Sequence, residues 1–230
     1  MQDKTRRKFI INSTKITGVM IGSSILSTDL LLPSSIKAAN IQFPESECRA
    51  TNKPGKKILI AYASQFGTTG EVAKAIGEVL CQKGNRVDTR WIKNVQDLNN
   101  YDAVIIGSAI QYDKWMPQAT EFVIENQNIL SKLPVAYFFT CLTLSKKTKK
   151  TEQKAKAYSD KIYSLVPQVK PVSVGRFAGV LDYSKMSFFT SIILKIMLSI
   201  LGVSEGDYRD WDAIQSWANR LSLKLQNKQA

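Results

Sequence analysis

The clearest candidate for a binding site is the hexapeptide SQFGTT at residues 64–69, which directly follows the apolar run KILIAYA. A turn from a strand into a helix leaves several backbone N–H groups without an internal partner, and such a turn binds anions. The serine and the two threonines add hydroxyl donors, and the glycine lets the backbone approach a ligand closely. The loop has neither the lysine of GxxxxGK[ST] nor the glycine spacing of GxGxxG. It therefore predicts a neutral site for one terminal phosphate, and the alternative is a helix start capped by Thr68 or Thr69.

The composition excludes several kinds of catalytic site. The chain has no histidine, which rules out Ser-His-Asp and Cys-His catalysis, histidine-ligated haem and most zinc sites. Its three cysteines, Cys48, Cys81 and Cys141, are far apart and form no CxxC pair. An iron–sulfur cluster or thioredoxin chemistry is therefore not expected, while a single disulfide remains open. We expect no metal site, and redox chemistry would require an organic cofactor.

Apolar runs with helical segments between them predict an α/β fold. Five runs have the pattern of buried strands, at residues 57–63, 86–92, 102–108, 135–140 and 172–180. Four segments with helical periodicity lie at residues 69–83, 117–130, 152–166 and 211–225. Strands that are apolar on both faces and alternate with helices predict a doubly wound, five-stranded parallel sheet. Ligands bind such sheets at the carboxyl ends of the strands, which directs attention to residues 64–69, 108–115 and 140–150.

The first 39 residues resemble an export signal. The basic stretch Thr5–Ile10 is similar to the twin-arginine pattern, and a modestly apolar run and small residues follow it. We expect export across the cytoplasmic membrane, to the periplasm or the outer face, and an uncleaved membrane anchor is the alternative. Because the twin-arginine route carries folded proteins, it suits a protein that binds its cofactor before export. Residues 40–55 have the composition of a linker, and residues 56–226 that of the folded domain.

Three segments together resemble the flavodoxin family: KILIAYASQFGTTGEVA, YDAVIIGSAIQYDKW and VAYFFTCLTL. The resemblance implies a bound FMN, whose phosphate lies in the first loop and whose isoalloxazine ring lies between the second and third loops. The residues that it assigns are Ser64, Gln65, Phe66, Gly67, Thr68 and Thr69 for the phosphate, Ser108, Ala109, Ile110, Gln111 and Tyr112 for the second loop, and Thr140, Cys141, Leu142 and Thr143 for the third. It also implies that Tyr112 or Trp115 stacks on the ring, with ordinary packing as the alternative.

Further segments resemble one branch of that family, the menaquinone-dependent protoporphyrinogen dehydrogenases of bacteria. These segments are LTLSKKTKKTEQKAKAYSDKIY, FAGVLDYSKMSFFTSIILKIMLSILG and GDYRDWDAIQSWA. The formal charge of the chain is +13, whereas flavodoxins that carry electrons in solution are usually acidic. The resemblance implies an FMN-dependent oxidoreductase that passes electrons from a reduced organic substrate to a membrane quinone, and it assigns no catalytic side chain. Those enzymes face the cytoplasm, whereas this chain is expected to be exported.

Two segments predict contact with anionic or apolar partners. The stretch Lys146–Lys156 carries six lysines, which would attract the carboxylates of a porphyrinogen or the phosphates of a lipid surface. Nucleic acid is not expected, because no aromatic residues are interleaved with these lysines. The run Met186–Leu201 is apolar nearly all round but shorter than the ~20 residues of a membrane span. It predicts an extra helix that lies against a membrane, with a buried helix as the alternative.

Three functions are compatible with this sequence. The first is the FMN-dependent oxidoreductase with a quinone acceptor. The second is an exported electron carrier whose basic surface meets an acidic redox protein. The third is a binding module that has kept the fold and lost FMN, and the intact loop at residues 64–69 argues against it. Flavin content separates the third function from the other two, and turnover with a quinone separates the first from the second.

Overall fold

The computed structural model describes residues 41–49, 55–186, 188–200 and 202–227. The predicted export signal at residues 1–39 lies outside the described residues.

Strands and helices alternate along the described chain. The strands are β1 (Ser46–Cys48), β2 (Lys57–Ala63), β3 (Arg86–Trp91), β4 (Ala103–Gln111), β5 (Lys114–Trp115), β6 (Val135–Cys141), β7 (Ser173–Ala178), β8 (Val180–Leu181) and β9 (Gly206–Asp207). The α-helices are α1 (Thr68–Gln82), α2 (Pro117–Glu125), α3 (Gln127–Leu130), α4 (Lys149–Leu165), α5 (Phe188–Ile200) and α6 (Trp211–Asn227). Short 3₁₀ turns occupy Ile92–Asn94, Leu142–Ser145 and Tyr183–Lys185.

The central sheet has the strand order β1-β3-β2-β4-β6-β7. The five strands from β3 to β7 in this order are parallel, so the predicted doubly wound five-stranded sheet is confirmed. Strands β3 and β4 lie on opposite sides of β2, so the order of strands in the sheet reverses at β2. The carboxyl end of β2 is therefore the switch point of the sheet. Ligand sites in open α/β sheets lie at such a point.

Helices cover both faces of the sheet, as apolar strands require. On one face, α1 and α6 pack against side chains such as Ile60 and Phe138. On the other face, α2, α3 and α4 pack against side chains such as Leu59 and Tyr137. Leu59 and Ile60 are neighbours in β2 and lie in different clusters, because successive side chains of a strand point to opposite faces.

Several boundaries differ from those predicted from the sequence, two of them for a local reason. The predicted helix at 117–130 is interrupted at Asn126, whose side-chain amide donates to the carbonyl oxygen of Phe122 at 2.9 Å. Helix α4 begins at Lys149 rather than near residue 152, because Thr148 and Thr151 form a reciprocal capping box. The predicted fifth strand is interrupted between β7 and β8 at residue 179.

The predicted linker at residues 40–55 is wrong for the part that the structure describes. Strand β1 pairs antiparallel with β3, so Ser46 faces Thr89 and Cys48 faces Val87. Cys48 also forms a disulfide with Cys81 in the last turn of α1. The polar composition suggested a linker, but an edge strand needs only backbone hydrogen bonds and one apolar face.

The predicted extra apolar segment forms helix α5. It belongs to an excursion between β8 and β9, which pair antiparallel and close its base. The excursion follows the carboxyl end of β7, at the same edge of the sheet as the predicted binding loops. In the part of the chain that the structure describes, no helix is both long and apolar enough to cross a membrane.

Candidate functional site

The three loops predicted to form the site lie side by side at the carboxyl edge of the sheet. They follow β2, β4 and β6, which are neighbours in the sheet. The register pairs Ala63 with Ser108 and Ala109 with Thr140, so the three strands deliver their loops to nearly the same level. The sheet therefore brings together the residue groups 64–69, 108–112 and 140–143.

The first loop presents unpaired backbone donors at the start of a long helix. Gly67 precedes α1 with φ = 81°, a left-handed conformation that favours glycine, and no side chain caps the helix. Among the described residues, no acceptor pairs with the N–H groups of residues 65–69. The alternative of a helix capped by Thr68 or Thr69 is wrong, because Gly67 is the N-terminal cap and both threonines lie inside the helix. Thr69 is also buried, and its hydroxyl bonds to that of Thr140 at 2.9 Å. The exposed donors and the helix dipole suit an anion.

The second loop is a tight hairpin between β4 and β5. Tyr112 and Asp113 form its two-residue turn with φ values of 49° and 58°, the geometry of a type I′ turn. The Tyr112 side chain is 96% exposed at the tip of this turn. The side-chain amide of Gln111 donates to that of Gln65, which links the second loop to the first. An exposed aromatic ring held on a strained turn at the sheet edge is suited to cover a planar ligand.

The structure separates the two aromatic residues that were candidates for stacking. Trp115 is only 6% exposed and packs edge-on against Tyr137, with ring centroids 5.4 Å apart. Trp115 is therefore a packing residue, and stacking on the ring stays a prediction for Tyr112. The Ser108 hydroxyl is also used internally, because it accepts a hydrogen bond from the N–H of Met116 at 2.9 Å. The Ser108 hydroxyl is therefore engaged within the protein, and Ser108 offers a ligand only its backbone.

The third loop is more buried than the other two. Thr140 and Cys141 are 6% and 4% exposed, while the short turn that includes Leu142 and Thr143 is half-buried. Burial raises the pKa of the Cys141 thiol to about 11. Cys141 is therefore a thiol at neutral pH and unsuited to act as a nucleophile.

A polar cluster that the sequence did not reveal connects the second and third loops through α4. The Tyr158 hydroxyl donates to the Asp113 carboxylate at 2.7 Å and lies 2.9 Å from the Thr143 hydroxyl. The Lys154 ammonium pairs with the same carboxylate at 2.9 Å. The hydrogen bond from Tyr158 and the bond from Lys154 hold the pKa of Asp113 below its ordinary value. Thr143 and Asp113 lie 15 and 45 positions before Tyr158 in the chain, and no sequence motif connects them.

A buried arginine neutralises the acidic side chain beside the first loop. Glu71 lies in the first turn of α1, where its negative charge would oppose an anionic ligand. Arg209 pairs with this carboxylate at 2.6 Å and with Asp207 at 2.6 Å, and its side chain is only 8% exposed. Its guanidinium also lies 4.5 Å from the ring centroid of Trp211. Arg209, just before α6, thus attaches that segment to the start of α1, directly after the first loop.

The lysines of residues 146–156 are not a uniform basic patch. Three of them form ion pairs of 2.9 Å: Lys147 with Asp210, Lys154 with Asp113 and Lys156 with Asp160. Lys149 and Lys150 are exposed in the first turn of α4 and form no ion pair with the described residues. The positive charge available to a ligand is therefore concentrated at the N-terminus of α4, just after the third loop.

Comparison with known families agrees with this geometry. Residues 59–206 match the family model described as a flavodoxin domain, which includes all three loops. The chain belongs to the flavodoxin family. The fold predicted from the sequence is thereby confirmed, and family membership supports FMN as the cofactor.

Curated relatives carry a narrower name. Protoporphyrinogen IX dehydrogenase [quinone] of Escherichia coli K12 is 26% identical over 174 residues, which cover 72% of this chain and 94% of that protein. The protein of the same name from Leishmania major is 28% identical over 171 residues, which cover 71% of this chain and 73% of that protein. Among solved structures, an archaeal flavodoxin shows a TM-score of 0.45 at 14% identity and covers 74% of this chain and 99% of its own.

The residues present fit FMN at both ends. The phosphate requires hydrogen-bond donors, which the N–H groups of residues 65–69 provide where the left-handed Gly67 turns the chain into α1. The ring requires an aromatic side chain beside it, and Tyr112 is exposed at the tip of the second loop, next to the third loop in the sheet. The individual contacts of the predicted binding residues stay a prediction.

Proposed function

We propose that this protein is an FMN-dependent oxidoreductase that passes electrons from a reduced, carboxylate-bearing organic substrate of the porphyrinogen class to a membrane quinone. The observation that carries the proposal is the arrangement at the carboxyl edge of the sheet. An anion-binding loop, an exposed aromatic turn and an apolar helical excursion lie on the same edge. The names of the curated relatives support the same donor and acceptor.

FMN, when bound, supplies the electron-transfer chemistry at this edge, since the side chains provide none. The first loop holds the phosphate, and the Asp113 cluster holds the second and third loops at a fixed separation. Near neutral pH, Asp113 stays ionised and Cys141 stays protonated, so neither side chain is poised to release a proton. The protein therefore acts by positioning the substrate rather than by acid–base catalysis.

Charge at the start of α4 supports an anionic substrate. Lys149 and Lys150 stand at a helix N-terminus, where the helix dipole adds to their positive charge. A carboxylate that docks there lies next to the third loop and hence beside the flavin. Neutralising both lysines should raise KM for a carboxylate-bearing substrate and leave kcat nearly unchanged.

The exposed face of α5 supports contact with a membrane. Ile193, Ile196 and Ile200 are 66%, 61% and 81% exposed, and their spacing of three and four residues places them on one face. Leu198, at 9% exposure, points towards the rest of the protein. An apolar face of this kind on a helix too short to span a bilayer suits insertion into the interface, where quinones are accessible.

The disulfide supports the proposed export. Disulfides persist in oxidising compartments and are rare in the cytoplasm. The Cys48–Cys81 bridge joins two segments of the same domain and is part of its folded structure. Cell fractionation of the intact chain, with separate blocking of free thiols in each fraction, should find the protein outside the cytoplasmic membrane with one free thiol.

The central test is anaerobic turnover of protoporphyrinogen with a menaquinone analogue, followed by porphyrin fluorescence and by flavin absorbance of the same sample. Quinone-dependent porphyrin formation supports the proposal. A yellow protein without turnover contradicts the proposed substrate and favours an electron carrier, and a colourless protein that binds no added FMN contradicts the proposal as a whole. The variant Lys149→Gln/Lys150→Gln should raise KM, and so to a smaller extent should Lys149→Gln alone. Lys74→Gln, which removes one positive charge from α1 on the opposite face of the sheet, should not.

A further inference from the structure

Residues 41–49 form a strap that runs along the edge of the domain to the first loop. At its N-terminal end, a Cβ on Gly67 would overlap the carbonyl oxygen of Gln42, so the strap backbone lies directly on the glycine of the loop. The Tyr62 hydroxyl donates to the carbonyl oxygen of Pro44 at 2.9 Å. Tyr62 is in β2, two residues before the loop begins. The strap is therefore a neighbour of the predicted phosphate site, although sequence composition suggested a linker.

The middle of the strap is attached to the end of β3. The ring of Phe43 stacks on that of Trp91, with centroids 4.5 Å apart and planes at 18°. The Glu45 carboxylate accepts hydrogen bonds from the Trp91 N–H and the Asn94 amide, each at 2.9 Å. These contacts are local and partly exposed, and each is worth about 1 kcal/mol or less. By themselves they hold the strap weakly.

The backbone pairing of β1 with β3 holds the far end of the strap, and the disulfide supplies its covalent attachment. It joins Cys48, at the far end of the strap, to Cys81, in the last turn of α1. Gln42 contacts Gly67, which precedes the first turn of the same helix. The strap thus runs alongside α1 and touches it at both ends. The covalent bond at one end limits how far the other end can move from the loop.

We propose that the strap is a fourth wall of the phosphate end of the cofactor site, and that the Cys48–Cys81 disulfide controls how long FMN is retained. This proposal rests on the FMN binding of the proposed function. With the disulfide intact, the strap braces Gly67 and keeps the N–H groups of residues 65–69 in their binding geometry. With the disulfide reduced, the backbone pairing of β1 with β3 and the local contacts remain without a covalent bond, and the loop opens more often.

The chemistry is a thiol–disulfide exchange. A dithiol attacks the Cys48–Cys81 bond, and two exchange steps yield two cysteine thiols and the oxidised, disulfide form of the dithiol. The reverse reaction with a disulfide donor restores the bridge.

Such an exchange suits a protein that is exported after it has bound its cofactor. FMN enters while the strap is loose in the reducing cytoplasm, and bridge formation outside retains it where free FMN is scarce.

The experiment measures the dissociation rate of FMN from the intact domain, by the rise in free-flavin fluorescence after dilution. Oxidised protein is compared with protein reduced by dithiothreitol, and with Cys48→Ser. We expect reduction to increase the dissociation rate of FMN about tenfold. In free energy this change is smaller than the stabilisation that a disulfide typically contributes to folding. The Cys48→Ser variant should release FMN fast with and without dithiothreitol. Cys141→Ser, which leaves the bridge intact, should respond to dithiothreitol as the wild type does.

Two further measurements separate a loosened strap from general unfolding. Circular dichroism should show that the reduced protein is folded at the temperature of the assay. The variant Phe43→Ala, which keeps the disulfide and removes the stack on Trp91, should also release FMN faster in the oxidised state. Glu47→Gln, which removes the ion pair with Arg90 at the far end, is its control and should not.

The outcomes distinguish this inference from the proposed function. Equal dissociation rates for oxidised and reduced protein, with both folded, overturn the role of the disulfide. A normal rate for Phe43→Ala overturns the role of the strap. Faster release on reduction in a protein without porphyrinogen turnover supports the strap and contradicts only the proposed substrate. A wild-type protein that binds no FMN overturns both.

Discussion

The substitution Gly67→Ala tests whether the left-handed glycine of the first loop is required for the cofactor. Gly67 has φ = 81°, and a Cβ there would overlap the carbonyl oxygen of Gln42. A left-handed conformation costs a non-glycine residue about 1–2 kcal/mol. The overlap adds to this, because backbone of the strap or of the loop must move. If the movement breaks one hydrogen bond to a charged phosphate, worth about 1.5–3 kcal/mol, the Kd for FMN rises by a factor of about 10 to 150.

The chain offers a matched control in Gly84. This residue follows α1 with φ = 90°, and a Cβ there would meet no atom within 4 Å. Gly84→Ala therefore carries a similar backbone strain without a steric overlap, at the opposite end of the helix from the site. We expect it to lower the free energy of unfolding by about 1–2 kcal/mol and to leave FMN affinity unchanged.

The assay is an FMN titration followed by flavin fluorescence, together with urea unfolding of the protein without FMN. Gly67→Ala should lower both FMN affinity and stability, whereas Gly84→Ala should lower stability alone. The reasoning is refuted if Gly67→Ala binds FMN within about twofold of the wild type, a difference of only about 0.4 kcal/mol. It is also refuted if the two variants weaken FMN binding equally, since that would make the effect one of global stability.

Three further predictions concern ionisation and surface contacts. The pKa of Asp113 is held below its ordinary value of 3.8 by its tyrosine and lysine partners, so its stabilising effect is present above that value and is lost as pH falls through the lower folded pKa. Asp113→Asn should remove this part of the acid destabilisation in melting curves from pH 7 to about pH 3, and an unchanged acid slope would contradict it. Cys141, with a pKa of about 11, should resist alkylation by iodoacetamide at pH 8 in folded protein and react after denaturation, and rapid labelling of the folded protein would show that the thiol is accessible. Ile193→Ser/Ile196→Ser should weaken sedimentation with anionic lipid vesicles without lowering the melting temperature, because both side chains are exposed. Leu198→Ser is the control at a buried position and should lower the melting temperature, and vesicle binding that is the same for the double variant and the wild type would argue against docking through α5.

The main features of the fold could be predicted from local pattern. Strands such as Lys57–Ala63 are apolar on both faces, and a parallel sheet covered by helices is the arrangement that buries both. Once the strands are parallel, their carboxyl ends share an edge, so the positions of the three loops follow from the chain alone. The absence of histidine excluded large classes of catalytic site without any structure.

Other features depended on contacts between distant parts of the chain. Tyr112 and Trp115 are both aromatic and lie three residues apart. Tyr112 is exposed because it lies in the turn of the β4–β5 hairpin, whereas Trp115 lies in β5 and is buried against Tyr137. The cluster around Asp113 joins side chains from three segments, and none of them has a local pattern that marks it.

The sequence by itself determined the fold class and predicted the phosphate-type loop, because hydrophobic periodicity and turn chemistry act over a few neighbouring residues. Its resemblance to the flavodoxin family implied the cofactor. Only the tertiary structure decided that residues 41–49 belong to the domain and that Cys48 pairs with Cys81. Pairing at a sheet edge and disulfide formation depend on distances between segments that are far apart in the chain, and composition does not encode those distances. The strap against Gly67 is therefore a property of the folded molecule.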